Sequence, residues 1–419
     1  MGVSVAPTAA LNVKKIIMKI CFICKYPPIE GGESSKAYWL AKALGERGHE
    51  IHIVTNAWEV ECDYRENIES SDLVGNYQPK GVRVHNTDPF IEPAYIPYSK
   101  PYTEKIASLA IDIINEYDLQ LIDSWYILPY VISGFLAKII TRKPQIMRHA
   151  GSDMSRLLSS PYLRTLFTSI FEKVDKIVTY PSMRERFLSL GISEERLFLN
   201  TKVSVDTKAF NPEAKPIDLS VYTNLNVDEL PIITYIGKIG ATKGIYELIE
   251  AASKIKDNFL LLFVSKGKGL DRFKEAIKKL GLHDKTLFIN FVPPWRIPSI
   301  IKKSTCVVIP ERDFPVAQHT PILPREVMAV GKCLILSDEL YSKGRSPDIQ
   351  DEENVIVVEP KNIEQFKGKL EKIIRQPDYA EEIGQKAYIV SKKLERFDEY
   401  IADIINLYAE IIKEKSLIT

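Results

Sequence analysis

Along the chain, short apolar runs alternate with stretches whose apolar residues recur three and four positions apart. Residues 19–24 and 51–55 are such runs and predict buried strands. Between them Ala37, Leu40, Ala41 and Leu44 fall on one face of a helix that Ser34 or Ser35 can cap and Gly48 ends. A second unit of the same kind follows, with strands at 119–124 and 145–149 around a helix over 128–140. A strand, a helix and another strand in succession imply parallel pairing with a right-handed crossover.

The polar, proline-containing residues 205–231 read as an interdomain linker, and the alternation restarts after them. Strands are expected at 232–237, 259–265, 286–291, 306–310 and 333–337, with Ile245, Leu248, Ile249 and Ala252 forming the stripe of the first intervening helix. Ile401, Ile404, Ile405, Tyr408, Ile411 and Ile412 mark a long amphipathic helix at the end. The class is α/β, with two doubly wound parallel sheets. Such sheets carry their ligand-binding loops at the carboxyl ends of the strands, so a cleft between two of them suits a bipartite substrate.

Length agrees, because 419 residues exceed one ordinary core. The expected division is an extension over 1–17, a first Rossmann-like domain over 18–208, a second over 209–397, and a helix over 398–419 that returns to the first. A formal net charge of +1 gives no global field to recruit nucleic acid, and no nucleic-acid partner is expected. The five cysteines, Cys21, Cys24, Cys62, Cys306 and Cys333, suit a reducing compartment. Cys21 and Cys24 would point to opposite faces of one strand, which favours packing over redox or metal chemistry. Residues 125–140, the most apolar segment, are broken by Pro129, Gly134 and Lys138 and are too short for a bilayer, so a cytoplasmic protein without a membrane-spanning helix is expected.

Four loops carry candidate chemistry. Residues 237–244 read Gly-Lys-Ile-Gly-Ala-Thr-Lys-Gly between a strand and a helix. Their glycines allow close backbone approach, the helix start offers N–H groups, and Lys238 and Lys243 add cations, which together suit a diphosphate. The loop is neither a Walker motif nor G-x-G-x-x-G, which argues against an ATPase or a nicotinamide enzyme. At a second strand end, His149 can donate to a sugar hydroxyl, and Asp153 either caps a helix or faces an acceptor. In the third loop Pro324 opens a short helix whose first turn holds Glu326, placed for the helix dipole or for a ribose. The fourth, Gly31-Gly32, is a turn flexible enough to cover a phosphate.

In this order the loops resemble glycosyltransferase family 4, the retaining enzymes of the GT-B fold, over nearly the whole chain from Met18. The most specific stretches are Tyr235-Ile-Gly-Lys with Lys243-Gly, Val205-Asp-Thr with Phe210-Asn-Pro, and Glu326-Val-Met-Ala-Val-Gly-Lys. The resemblance implies that Lys238, where the family usually has arginine, and Lys243 grip the donor diphosphate, and that Glu326 binds the ribose. It further implies that Gly31 and Gly32 cover the phosphates, His149 contacts the donor sugar, and backbone near Gly237, Gly267 and Val292 holds the rest of the nucleotide. The donor-sugar loop would be Gln318, His319, Thr320, Pro321, Ile322 and Leu323. Two departures stand out: Gln318 replaces the first of two glutamates with seven residues between them, and Pro321 replaces a glycine and removes an N–H.

What the resemblance implies is transfer of a hexosyl group from a uridine or guanosine diphosphate sugar to an acceptor hydroxyl, with retention, no cofactor and no metal. A sugar-nucleotide epimerase or glycan phosphorylase, and from another class a non-catalytic two-lobed binding protein, are the alternatives. Residues 154–173 mix Arg156, Arg164 and Lys173 with seven large apolar side chains, which is an ordinary amphipathic helix or a face for a membrane carrying a lipid-linked acceptor.

Overall fold

The computed structural model describes residues 17–88, 101–202, 204–224, 226–227, 229–316, 321–344 and 346–417. Among them the first sheet holds seven strands: β1 (Lys19–Ile23), β2 (Glu50–Thr55), β3 (Val82–Asn86), β4 (Leu121–Trp125), β5 (Gln145–Arg148), β6 (Lys176–Thr179) and β7 (Leu197–Leu199). The second holds β8 (Ile232–Ile236), β9 (Leu260–Val264), β10 (Thr286–Ile289), β11 (Cys306–Ile309), β12 (Cys333–Ser337) and β13 (Ile356–Val358). Their orders are β3-β2-β1-β4-β5-β6-β7 and β10-β9-β8-β11-β12-β13. Every pairing is parallel, with Ile20 level with Ile51 on one side and Leu121 on the other. Each sheet therefore reverses its strand order beside its first strand, where a doubly wound fold opens its crevice. This is the α/β architecture of two facing Rossmann-like domains.

Burial on both faces leaves a continuous apolar run in β9, which reads Leu-Leu-Leu-Phe-Val with every residue buried. Cys21 and Cys24 are free, buried, and packed in different apolar clusters on the two sides of the first sheet.

Three local expectations are corrected. The helix Gly32–Glu46 starts ahead of Ser34 and Ser35, with Gly31 as its N-cap at φ 129° and no side-chain cap, because only glycine turns the chain there cheaply. The helix expected over 128–140 is a π turn, Ile127–Val131, followed by an α-helix Ile132–Thr141. Leu128 is extended, as a residue before proline prefers. Residues 154–173 form two helices, Ser152–Leu157 and Pro161–Phe171, because Pro161 is favoured in a first turn rather than mid-helix.

The final helix, Phe397–Ser416, buries Tyr400, Ile401, Ile404, Tyr408 and Ile411. The Tyr408 hydroxyl donates to Asp123 and accepts from Arg148 Nη2 at 3.1 Å, while Lys202 and Lys415 pair with Asp403 and Asp175 at 3.0 and 3.1 Å. This helix thus packs on the first sheet's domain. A single apolar cluster runs from Ile20 and Phe22 through Val205 and Phe210 to Ile404 and on to Val307 and Leu334, so both domains share core.

Candidate active site

The loops at the carboxyl ends of β1, β8, β10 and β11 converge on an interdomain cleft of about 740 Å³. Gly31, Gly32, Gly237, Lys238, Lys243, Val292, Pro321, Ile322, Leu323 and Glu326 all line it. Gln318, His319 and Thr320 lie outside the described residues.

The 237–244 loop is shaped by its last glycine. Gly244 sits at φ 65° as the N-cap of the helix Ile245–Ser253, and a Cβ there would lie 1.8 Å from the carbonyl oxygen of Pro310. The loop therefore lies directly on the end of β11. Lys243 Nζ donates to Glu311 Oε1 at 2.6 Å, and Lys238 Nζ stands 2.8 Å from Glu30 Oε2, across the cleft in the other domain. Each cation is held by a carboxylate from a neighbouring strand end, so both are positioned before any ligand arrives.

Glu326 lies in the first turn of the helix Leu323–Val330, with Pro324 in that turn as well. It is 6% exposed. Burial, with Glu395 adding repulsion, pushes its carboxyl pKa up to about 8. Glu66 is 9% exposed and its Oε2 is buried without a hydrogen-bond partner. Burial and the nearby Glu30 hold its pKa well above the carboxylate range. Five lysines (25, 36, 238, 243 and 343) and five glutamates (30, 33, 66, 311 and 326) line the cleft. Burial favours the uncharged form of both Glu66 and Glu326, which lets the cleft's lysines favour an anion, and the same burial lowers the pKa of Lys25.

His149 and Asp153 stand apart. His149 lines an adjoining cavity of about 50 Å³ beneath the cleft, which shares Lys36, Ile322 and Glu326 with it. Its Nδ1 accepts from the Gly151 amide at 3.1 Å, so its Nε2 carries the proton and donates to Thr179 Oγ1 at 2.7 Å. Burial, with Lys36 and Arg186 adding to it, pushes the imidazole pKa down to about 3, so the ring is neutral. Asp153 is 1% exposed and accepts from the amides of Ala150, Met154 and Ile127 at 3.1, 2.7 and 3.1 Å. Its role in this geometry is to fasten the loop after β5 to the loop after β4. Gly267 is absent from the cleft lining; its Cα, at φ 108°, faces the backbone of Asp63, which a Cβ would approach to 3.3 Å.

Sequence reasoning missed Lys25, Glu30, Lys36, Glu66 and Glu311. Lys25, Glu30 and Glu311 each follow a strand by a few residues, a placement that could have marked them. Lys36 lies inside a helix, where it donates to Glu33 at 3.0 Å and reaches Tyr180 at 3.4 Å. Nothing local distinguishes Glu66.

Residues 223–390 match the family model "Glycosyl transferases group 1". An uncharacterised glycosyltransferase of Methanocaldococcus jannaschii is 25% identical over 409 residues, covering 93% of this chain and 98% of that protein. The N-acetyl-alpha-D-glucosaminyl L-malate synthase of Bacillus anthracis is 27% identical over 287 residues, covering 65% of this chain and 68% of the relative. Among solved structures, sucrose-phosphate synthase from Thermosynechococcus elongatus superposes with a TM-score of 0.66 at 18% identity, over 95% of this chain and 100% of the other. Anabaena HepE in complex with UDP-glucose gives 0.64 at 14% identity, over 94% and 100%. These two likenesses establish the fold, which is GT-B.

Proposed function

We propose that this chain, whose residues 223–390 match the group 1 glycosyltransferase model, moves a hexosyl group from a nucleoside diphosphate sugar to an acceptor hydroxyl, with retention at the anomeric carbon. The observation that carries this reading is the gathering of Lys238, Lys243, Gly31, Gly32 and Glu326 on one interdomain cleft. A structure of a fold-mate with UDP-glucose bound is consistent with a nucleotide-sugar donor.

In the proposed reaction the glycosidic bond to the β-phosphate breaks and negative charge grows on the leaving diphosphate. The two ammonium groups and the N-terminus of the helix Ile245–Ser253 meet that charge, which is stabilisation realised most fully in the transition state. A cation ~4 Å from a phosphate charge contributes on the order of 4 kcal/mol at an effective dielectric of ~20. The acceptor oxygen bonds to the anomeric carbon on the face the diphosphate leaves, and a diphosphate oxygen takes the acceptor's proton. This route calls for no protein nucleophile, cofactor or metal ion. Glu326 accepts from the ribose hydroxyls, Val292 flanks the nucleobase, and Pro321, Ile322 and Leu323 hold the sugar. His149, with both ring nitrogens engaged, contacts the sugar only through its ring edge or after Thr179 lets go.

Among the described residues no helix is long and apolar enough to cross a membrane. The helix Pro161–Phe171 leaves Tyr162 and Leu166 90% and 46% exposed, which supports peripheral contact of this face with a membrane.

A thermal-shift panel of uridine, guanosine and adenosine diphosphates, with and without sugars, tests the donor. At least one should raise Tm by several degrees, and nucleotide release should depend on an added acceptor. Release that ignores the acceptor, with isomerised sugar in the pool, would mark an epimerase; no response to any nucleotide would favour a binding protein of another ligand class.

A further inference from the structure

Beside the cleft lies a larger groove of about 1300 Å³, which shares Lys36, Tyr180, Pro321, Ile322 and Lys343 with it. Its walls carry six cationic side chains: Lys36, Lys202, Arg325, Lys343, Lys393 and Arg396. No carboxylate lines it among the described residues. Leu334, Leu336 and Leu340 form an apolar floor.

Five of these cations pair with carboxylates outside the groove lining, Lys36 with Glu33 at 3.0 Å and Arg396 with Glu399 at 3.6 Å among them. Arg325 is held by Glu395 at 2.6 Å, Lys202 by Asp403 and Glu399 at 3.0 and 3.5 Å, and Lys343 by Glu339 at 2.5 Å. None of those acids is part of the groove wall, so the charged groups that an occupant meets first are cations over an apolar floor, and an anion can exchange with the carboxylates that hold them. Its junction with the cleft is at Pro321 and Ile322, the loop assigned above to the donor sugar.

We propose that this groove is the acceptor subsite and that the acceptor bears a phosphate or carboxylate, with its hydroxyl delivered to the cleft past Ile322. The inference rests on the transferase reading and deepens it by naming the acceptor's chemistry. The anionic group belongs either to a free small molecule or to a lipid headgroup, and the two sources separate by experiment.

The test uses the full chain and probes that share a glycerol hydroxyl. Binding of sn-glycerol 3-phosphate, D-glycerate and glycerol is measured by calorimetry at low and high salt, and co-sedimentation is measured with phosphatidylglycerol and phosphatidylcholine vesicles. Lys393 and Arg396 are exposed and outside the donor cleft, so Lys393→Glu with Arg396→Glu leaves four cations against two acids on the groove wall without touching the diphosphate loop. At least one anionic probe should bind ~10-fold more tightly than glycerol, weaken with salt, and weaken ~10-fold again in the double variant, while affinity for the nucleoside diphosphate stays unchanged. Selective binding to phosphatidylglycerol vesicles alone would assign the anion to a lipid. Equal binding of glycerol, or an unaffected double variant, would overturn the proposal. Loss of all nucleotide binding beside intact anion binding would instead overturn the transferase reading.

Discussion

The two domains share a topology yet use the polar groups at their strand ends in opposite ways. At the end of the first sheet, Asp123 and Arg148 pair through two Nε contacts of 3.1 and 2.9 Å and close on Tyr408 of the last helix, all buried. His149 and Asp153 beside them are likewise engaged by Thr179 and by backbone amides. At the end of the second sheet, Lys238, Lys243 and Glu326 face a cleft, and the two lysines are held by carboxylates a diphosphate can displace. The first domain uses the ends of β4 and β5 to fix a wall and the last helix, and keeps its β1 end, with Lys25, Glu30 and the two glycines, on the cleft. The other keeps its chemistry available for a ligand.

The strongest way to break this contrast is Arg148→Ala. It leaves Asp123, 0% exposed, without its cation and should cost about 3–5 kcal/mol of stability, read as a large fall in Tm or denaturant midpoint. If the loss is instead mainly in turnover, with Tm intact, the wall is part of the chemistry.

Next is Lys243→Ala, which should lower kcat by at least ~100-fold, roughly 2.7 kcal/mol, with only a modest change in Tm. Lys243→Arg should recover part of that activity, because a cation returns beside Glu311. Near-normal turnover in the alanine variant would remove the lysine from the reaction.

Glu326→Gln sharpens the comparison through pH. In the unfolded chain the carboxyl loses its proton near its ordinary value of 4.5, whereas the folded protein holds it to about 8, so stability is lost as pH rises through that interval. The glutamine variant should therefore have the higher Tm at pH 9, by a few degrees. Ribose hydroxyls donate best to the ionised form, so wild-type donor affinity should strengthen from pH 6 to 8 with release of a proton, and the variant should bind more weakly with a flat profile.

The smallest effect is expected at His149. Its folded pKa of about 3 lies below the ordinary value of 6.5, so stability falls as pH drops from 6.5 toward 3. His149→Gln should lose less Tm between pH 7 and pH 4 than the wild type, with turnover at pH 7.5 changed less than in Lys243→Ala.

The alternation of strand and helix was plain in the sequence because burial of a parallel strand leaves an apolar run and burial of one helix face leaves a spacing. The 237–244 loop and Glu326 were legible for a similar reason: glycine, lysine and a first-turn acid act where they stand, through backbone freedom and the helix dipole. The start of the first helix was misjudged because serine caps are common signals, whereas Gly31 turns the chain by conformation alone. The break at Leu128 was visible as a proline but was outweighed by the apolar spacing around it.

What the residues settled unaided was therefore the two-sheet α/β plan and the cationic loop, since periodicity and local conformational preference are properties of a few neighbouring positions. Only the packing of one domain on the other decided that Lys238 meets Glu30, that the carboxyls of Glu66 and Glu326 are raised by burial, and that six cations share a groove with no acid among its described lining residues. Those facts depend on distance and desolvation between groups far apart in the chain, and neither quantity exists until the chain has folded.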